Sequence, residues 1–421
     1  MAKQETGNIL MEKIAITGLG IISPSGIDKR VFWANIKAGR SAVENIERFD
    51  ASLYPSRIAG QVRELAAYSS VSSRLLKKID LFSHMALVAS ELCIQDAKIN
   101  LAQENLKRVG IFMGNAIGGW LYAETELRDM YLEGREGVSP FMASAWFPAA
   151  PQGQISINYG IKGFSKTIVA DRASSLMAIA YAARTIIRGK CDFILAGGME
   201  APVTPYALLC CSTSGMLTEN NGRPHSAYRP FDKNRDGLAI AEGAGVLTLE
   251  PQSRVKAREG VHVYANIIGY GTSTDAVNRI EPSADGQQLA RAIKIALDDA
   301  GLTPKDIDYI CADGAGTQIG DATETKAIKD AFGEYAKKVI VSAPKSIYGN
   351  MLGASGVLDV ITTVLAMEHN MVPPTINYET PDPACDLNYC FNKAQEKVIK
   401  NAMIINRGRG GINCVLILQK P

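Results

Sequence analysis

Hydrophobic and polar positions alternate between two periods along the chain. Lys13-Ile-Ala-Ile-Thr-Gly-Leu-Gly-Ile-Ile22 is an apolar run broken by glycine and closed by Ser23-Pro-Ser-Gly26, the pattern of a buried strand and a turn. A helical pattern follows over about Leu75–Asp96, then the loop Asp96-Ala-Lys-Ile-Asn-Leu101 and the strand Arg108-Val-Gly-Ile-Phe-Met113, which runs into Gly114-Asn-Ala-Ile-Gly-Gly119. The second half repeats the series. Val263-Tyr-Ala-Asn-Ile-Ile-Gly-Tyr-Gly271 opens it as Ile14–Gly20 opens the first. A helical stretch at Leu289–Asp299 leads through Asp299-Ala-Gly-Leu-Thr-Pro304 to the strand Ile307-Asp-Tyr-Ile-Cys-Ala312 and then Asp313-Gly-Ala-Gly316. This alternation predicts α/β layers. The two similar halves suggest a duplicated fold, although alternating α/β chains can mimic such a repeat. With no low-complexity linker between them, residues 13–255 and 256–421 are expected to share one core.

Composition narrows the class. Of 421 residues, 47% are hydrophobic and 21% charged, the balance of a globular protein with a sizeable core. The 45 basic and 43 acidic side chains are spread along the chain, which argues against a nucleic-acid or membrane surface. The eight cysteines include the adjacent Cys210 and Cys211 but no CxxC pair, so they read as reduced thiols in a cytoplasmic protein that holds no metal. Neither an apolar signal core in MAKQETGNILMEK nor a run of about 18 apolar residues points to export or membrane insertion. Histidine is scarce: His84, His225, His262 and His369.

The centre of the chain carries the chemistry-bearing motifs. Ser165-Lys-Thr-Ile-Val-Ala-Asp-Arg-Ala-Ser-Ser-Leu176 precedes a predicted helix, Met177–Lys190, and the run Cys191-Asp-Phe-Ile-Leu-Ala-Gly-Gly-Met199. Then come Arg229-Pro-Phe-Asp232, Asn234-Arg-Asp-Gly237, Ala241-Glu-Gly-Ala-Gly-Val246, Pro344-Lys-Ser-Ile-Tyr-Gly-Asn350, Leu352-Gly-Ala-Ser-Gly356 and Val372-Pro-Pro-Thr-Ile-Asn377. In order and spacing the chain resembles the β-ketoacyl-acyl-carrier-protein synthases from about Lys13 to its C-terminus. The resemblance implies the thiolase fold, five layers αβαβα from two duplicated halves. It also implies a dimer across paired central strands and a substrate carried on the phosphopantetheine of acyl carrier protein, with no separate cofactor.

A decarboxylating condensing enzyme needs a thiolate at the start of a buried helix, where amides and the dipole stabilise the anion, and two imidazoles to stabilise the carbanion and oxyanion. At the positions that match the family's nucleophile and two histidines, this chain has Arg172, Asp313 and Asn350. None of its four histidines lies in a motif that could replace them. Lys345, Asp321, Glu324, Thr317 and Glu242 match their family motifs, and the lysine and glutamate are expected to form a buried structural ion pair. An arginine at a helix N-terminus is opposed by the dipole, so Arg172 is expected to pair with Asp313, with Asp171 as the alternative partner. Where active relatives carry a Gly-Phe-Gly-Gly loop, the chain reads Asn406-Arg-Gly-Arg-Gly-Gly411; Arg407, Arg409 and Arg172 are expected to close the acyl tunnel.

A ketosynthase-like chain without a nucleophile resembles the chain-length factor, or ketosynthase-β subunit, of type II polyketide synthases. That resemblance implies pairing with an active ketosynthase-α, with acyl carrier protein delivering the growing chain. The gating region of that family matches Met113–Trp120, so Trp120 is the expected gate, with an ordinary interface anchor as its alternative role, and Ala116 and Met113 lie on the same face if the segment is helical. The stretch Phe141-Met-Ala-Ser-Ala-Trp-Phe-Pro148, with Phe141, Trp146 and Phe147, is expected at the dimer interface. The familiar β-subunits carry glutamine where this chain has Arg172. Two other readings stand beside this one. The first is a decarboxylase or acyltransferase with relocated chemistry, using Arg172 to hold a carboxylate or Cys311 as nucleophile. The second is a carrier-protein scaffold that shapes no product.

Overall fold

The computed structural model describes residues 12–421. Among them, eleven strands form one mixed sheet: β1 (Ile14–Ile22), β2 (Val109–Gly114), β3 (Ser165–Ile168), β4 (Phe193–Glu200), β5 (Gly243–Pro251), β6 (Ala265–Thr274), β7 (Tyr309–Cys311), β8 (Ile340–Ser342), β9 (Asn388–Tyr389), β10 (Asn401–Gly408) and β11 (Ile412–Gln419). The helices that matter to the site are α1 (Leu81–Asp96), α2 (Trp120–Glu133), α3 (Ala150–Tyr159), α4 (Ser174–Ile187), α5 (Pro205–Thr213), α6 (Gln287–Ala300), α7 (Gln318–Phe332) and α8 (Ser355–His369).

The strand order is β9-β8-β7-β10-β11-β6-β1-β5-β4-β2-β3. In the first half, β2 lies parallel to β3 and β4, and β5 runs antiparallel to β4 and β1. In the second, β7 lies parallel to β8 and β10, and β11 runs antiparallel to β10 and β6. The two halves thus share one topology, spliced where Ile14–Ile16 pair with Ala265–Ile267. Helices α4 and α8 are buried in the core they share, α1 and α3 cover the first half, and α6 and α7 cover the second. This is the five-layered thiolase architecture.

The duplication is visible at single residues. A Cβ on Gly18 or Gly20 of β1 would meet the carbonyl oxygens of Cys93 and Ala89 on α1, at 2.5 and 1.8 Å. A Cβ on Gly269 or Gly271 of β6 would meet those of Ala296 and Ala292 on α6, at 2.5 and 2.1 Å. Each half uses a Gly-x-Gly pair to bring its covering helix against its first strand.

Two helices differ from their predicted bounds. The stretch from Leu75 breaks in two because Ser72 caps the short turn Ser73–Leu76, whereas Asp80 accepts from the Phe82 amide at 2.9 Å and starts α1 afresh. Helix α4 begins at Ser174, three residues before the predicted Met177, directly after a tight turn.

At one sheet edge, β3 pairs only with β2, and Phe164 and Val169 beside it are about half exposed. We predict that Gly20→Ala and Gly271→Ala each destabilise the fold by about 3 kcal/mol, because backbone must move. Gly189→Ala, with nothing within 4 Å but a φ of +66°, should cost about 1 kcal/mol. Urea unfolding reads the difference, and a wild-type midpoint for Gly20→Ala would refute the packing argument.

Candidate functional site

The chain leaves β3 and turns sharply before α4. Asp171 adopts φ +49°, and the Ser174 hydroxyl donates to the Asp171 carbonyl at 2.6 Å and accepts from the Ala170 amide at 2.8 Å. This elbow presents Arg172 at the N-terminal end of the buried helix. The arginine is largely enclosed, its Nη2 3.7 Å from Asp313 Oδ2 and its Nε 3.8 Å from Asp171 Oδ2. Both distances are those of ion pairs without a hydrogen bond. Burial works against the charge, but Asp313 and then Asp171 outweigh it and hold the guanidinium above its ordinary value.

Asp313 lies just beyond β7 in a loop held from below by α7. Glu324 accepts from the Asp313 and Gly314 amides at 2.7 and 2.9 Å, and Asp321 accepts from Gly316 and Phe231 at 2.9 and 2.7 Å. Thr317 caps α7 through the Gly320 amide, 3.1 Å away. Burial, reinforced by Asp313, pushes the Glu324 carboxyl up to about 8. Asn350 stands before the turn into α8, where its Oδ1 accepts from the Leu352 amide at 3.0 Å and the Ser355 hydroxyl at 3.2 Å. Glu242 is buried and forms a two-pronged pair with Arg48, at 2.6 Å on each oxygen.

Lys345 does not pair with Glu324. Its ammonium contacts Asp359 on α8, and both residues are fully buried. The Asp359 carboxylate also accepts from Tyr348 Oη at 2.8 Å and Asn406 Nδ2 at 2.7 Å. Glu324 is occupied by two backbone amides, while the second turn of α8 carries Asp359 to the lysine. Burial opposes the Lys345 charge, and Asp359 overcomes it and holds the pKa up. The signal was a single carboxylate within the apolar run Val357–Met367.

The three arginines line the site rather than fill it. Arg407 turns inward, donating to Asn413 Oδ1 and the Gly320 carbonyl, both at 3.2 Å. Arg409 folds back onto Asp171 at 2.8 Å. With Arg172 they border a cavity of about 270 Å3 that also reaches Ser214, Asp236 and Gln318. Each guanidinium group is thus held by partners on the cavity wall, Arg172 and Arg409 by carboxylates and Arg407 by Asn413 and the Gly320 carbonyl.

Residues Met113 to Trp120 are not one helix. Met113 lies in β2, one residue before its end, and is buried in the outer core of the first half, Ala116 lies in a loop, and Trp120 begins α2. The three share no helical face. Gly118, at φ +76°, and Gly119, packed against the Ala145 carbonyl, turn the chain between strand and helix. The Trp120 ring lies 4.8 Å from that of Tyr206 on α5, the planes tilted by 34°. Phe141, Trp146 and Phe147 lie around a short helix at the surface, all partly exposed.

His84 is engaged by the Ser69 hydroxyl at 2.6 Å, and His225 sits in a surface turn, so neither reaches the site. Cys311 is fully buried in β7, and burial raises its thiol pKa, which disfavours a nucleophilic thiolate. No group of three His, Cys, Asp or Glu side chains suited to a metal ion occurs among the described residues.

A duplicated thiolase fold around an elbow at a buried helix N-terminus defines the condensing-enzyme class. The family model for the β-ketoacyl synthase N-terminal domain matches residues 11–254, and the model for its C-terminal domain matches residues 264–379. The chain belongs to the β-ketoacyl synthase family. It is 37% identical to a 3-oxoacyl-[acyl-carrier-protein] synthase 2 of Staphylococcus aureus (strain COL), over 97% of this chain and 98% of that one. A solved type II polyketide synthase acyl-carrier protein in complex with its ketosynthase, bound to the hexaketide, superposes with TM-score 0.90 at 31% identity, over 97% and 99% of the two chains. The ishigamide ketosynthase/chain length factor superposes with TM-score 0.90 at 30% identity, over 98% and 100%. Both the curated relative and the solved complex name acyl-carrier protein with the synthase.

Two predictions follow from the charges. Asp313→Ala leaves Arg172 without its first partner and should cost about 3 kcal/mol in a denaturant titration, whereas Arg172→Met with Asp313→Ala should cost clearly less. Glu324, with an ordinary value of 4.5, holds its proton in the folded state up to about pH 8. Its contribution to stability is therefore complete below pH 4.5 and lost as pH rises through 8. Thermal midpoints across that window should fall more steeply for wild type than for Glu324→Gln; equal slopes would refute this assignment.

Proposed function

We propose that this chain is a non-catalytic ketosynthase-like subunit, a chain-length factor that pairs with an active ketosynthase-α and shapes the pocket in which a carrier-bound poly-β-ketone elongates. The observation that carries the reading is the replacement of the nucleophile and both imidazoles by Arg172, Asp313 and Asn350, with the elbow, loop and helix around them intact. The arginine and aspartate form an ion pair where a thiolate and an imidazole would work together. The unpaired β3 edge and the nearby Phe141, Trp146 and Phe147 supply the face for the partner, and acyl carrier protein delivers the substrate. Trp120 serves as the gate. Residues 13–255 and 256–421 act as two halves of one cytoplasmic subunit.

The 37% identity to a 3-oxoacyl-[acyl-carrier-protein] synthase 2 favours a second reading, a homodimer that carries out its own chemistry. The fully buried Cys311 weighs against it.

Co-expression with type II ketosynthases, followed by size-exclusion chromatography and mass spectrometry, separates the two. We expect a heterodimer, no condensation by this chain alone, and longer products from the Trp120→Ala heterodimer than from wild type. A homodimer that ignores every ketosynthase, or turnover by the purified chain, would sink the proposal. Unchanged product length in Trp120→Ala would leave only a scaffold.

A further inference from the structure

Two buried carboxylates that the reaction frame does not use converge on the segment before and within the start of α2. Glu200, at the end of β4, is fully buried. Its Oε2 accepts from the Ala116 amide at 2.6 Å and the Gly353 amide at 2.9 Å, and its Oε1 from the Ile117 amide at 3.2 Å. Asp80, also buried, caps α1 with Oδ1 and accepts from the Tyr122 amide at 2.7 Å with Oδ2. Between these two anchors the chain has no slack. The Gly119 amide donates to the Trp146 carbonyl at 2.8 Å, and Asn115 Nδ2 donates to the Pro148 carbonyl at 2.7 Å. The ring of Trp120 then rests on Tyr206, whose helix is tied to α2 by Glu124, which accepts from the Tyr206 amide at 3.2 Å.

We infer that Glu200 and Asp80 are positioning residues that set where the Trp120 ring stands, and so help to set product length. The inference rests on the chain-length reading. Its physical basis is that the backbone amides held by these buried side chains have no water to turn to when the bond is lost. A loop rich in glycine would otherwise sample several conformations. Glu200 does more than hold the loop. Through Gly353 it ties the segment before Trp120 to the turn that follows Asn350, so the gate and the former catalytic centre share one anchor.

Glu200→Gln keeps the shape of the side chain but turns one of its two accepting oxygens into an NH2 donor that faces backbone amides. Hydrogen exchange at the Ala116, Ile117 and Gly353 amides of the full chain should accelerate roughly tenfold, the loss expected when a hydrogen bond to a buried acceptor is removed. In the heterodimer with the ketosynthase that co-purifies, the product distribution should move in the same direction as in Trp120→Ala. Glu200→Gln should add nothing in a Trp120→Ala background, because the effect passes through that ring. A purely structural role would instead add its effect in both backgrounds, and that result overturns the inference. So does wild-type product length for Glu200→Gln when Trp120→Ala alone changes it, an outcome that leaves the chain-length reading intact. If Trp120→Ala also has no effect, both fall together. Should Glu200→Gln fail to fold, Asp80→Asn, read by exchange at Tyr122 and by the same double variant, applies the identical test.

Discussion

A guanidinium enclosed at the N-terminal end of a helix faces two penalties, the helix dipole and the loss of water, and only adjacent carboxylates offset both. Around Arg172 they come from opposite sides, Asp171 on the elbow itself and Asp313 from beyond β7. Asp171 also binds Arg409, so the loop after β10 is tied to the elbow by the same carboxylate. On the far side Arg407 approaches Asp275 at 3.8 Å. Arginine and aspartate thus alternate across the centre, and elements from both halves of the duplication meet there through charge. Beneath them the Lys345–Asp359 pair is sealed by Tyr348 and Asn406, with both ends of the carboxylate engaged. Such a pair contributes little net stability but is costly to break on one side, which fixes α8 against the strands.

The part of this arrangement that was legible in the sequence is the part carried by local pattern. Gly18 and Gly20 recur as Gly269 and Gly271, and their role depends only on a neighbouring helix backbone. Arg172, Asp313 and Asn350 could be matched to the family's nucleophile and histidine positions because each sits in a short motif of fixed length. Long-range choices were not legible. Lys345 had two carboxylates within plausible reach, Glu324 and Asp359, and nothing in their spacing says that backbone amides already occupy the first. The strand, loop and helix hidden in Met113–Trp120 look like a helical turn on residue spacing alone. What breaks that turn is the positive φ of Gly118 and the close approach of Gly119 to Ala145, both consequences of tertiary packing.

Charge as well as hydrogen bonding holds the guanidinium groups that border the cavity of about 270 Å3. Arg172 Nε and Arg407 Nη2 are buried and make no hydrogen bond to protein. Each is instead within ion-pair distance of a carboxylate, Arg172 Nε 3.8 Å from Asp171 and Arg407 Nη2 3.8 Å from Asp275.

The same economy of shape extends to the surface. Edge strands with free hydrogen-bonding groups are a liability in a solitary protein, which blunts them with charge, proline or a covering element. The β3 edge has one lysine, Lys166, and is flanked by the exposed Phe164 and Val169. Exposed aromatic side chains at Phe141, Trp146 and Phe147, in the stretch whose carbonyls anchor Asn115 and Gly119, widen the apolar character of this region. A surface of this kind is stable in water when a second subunit covers it. The contacts that place Trp120 run through that stretch, so the residue proposed to measure product length is held partly by the segment proposed to meet the partner. Binding and gating would then be coupled through the Trp146 and Pro148 carbonyls, which a partner subunit can shift only by moving the loop before α2.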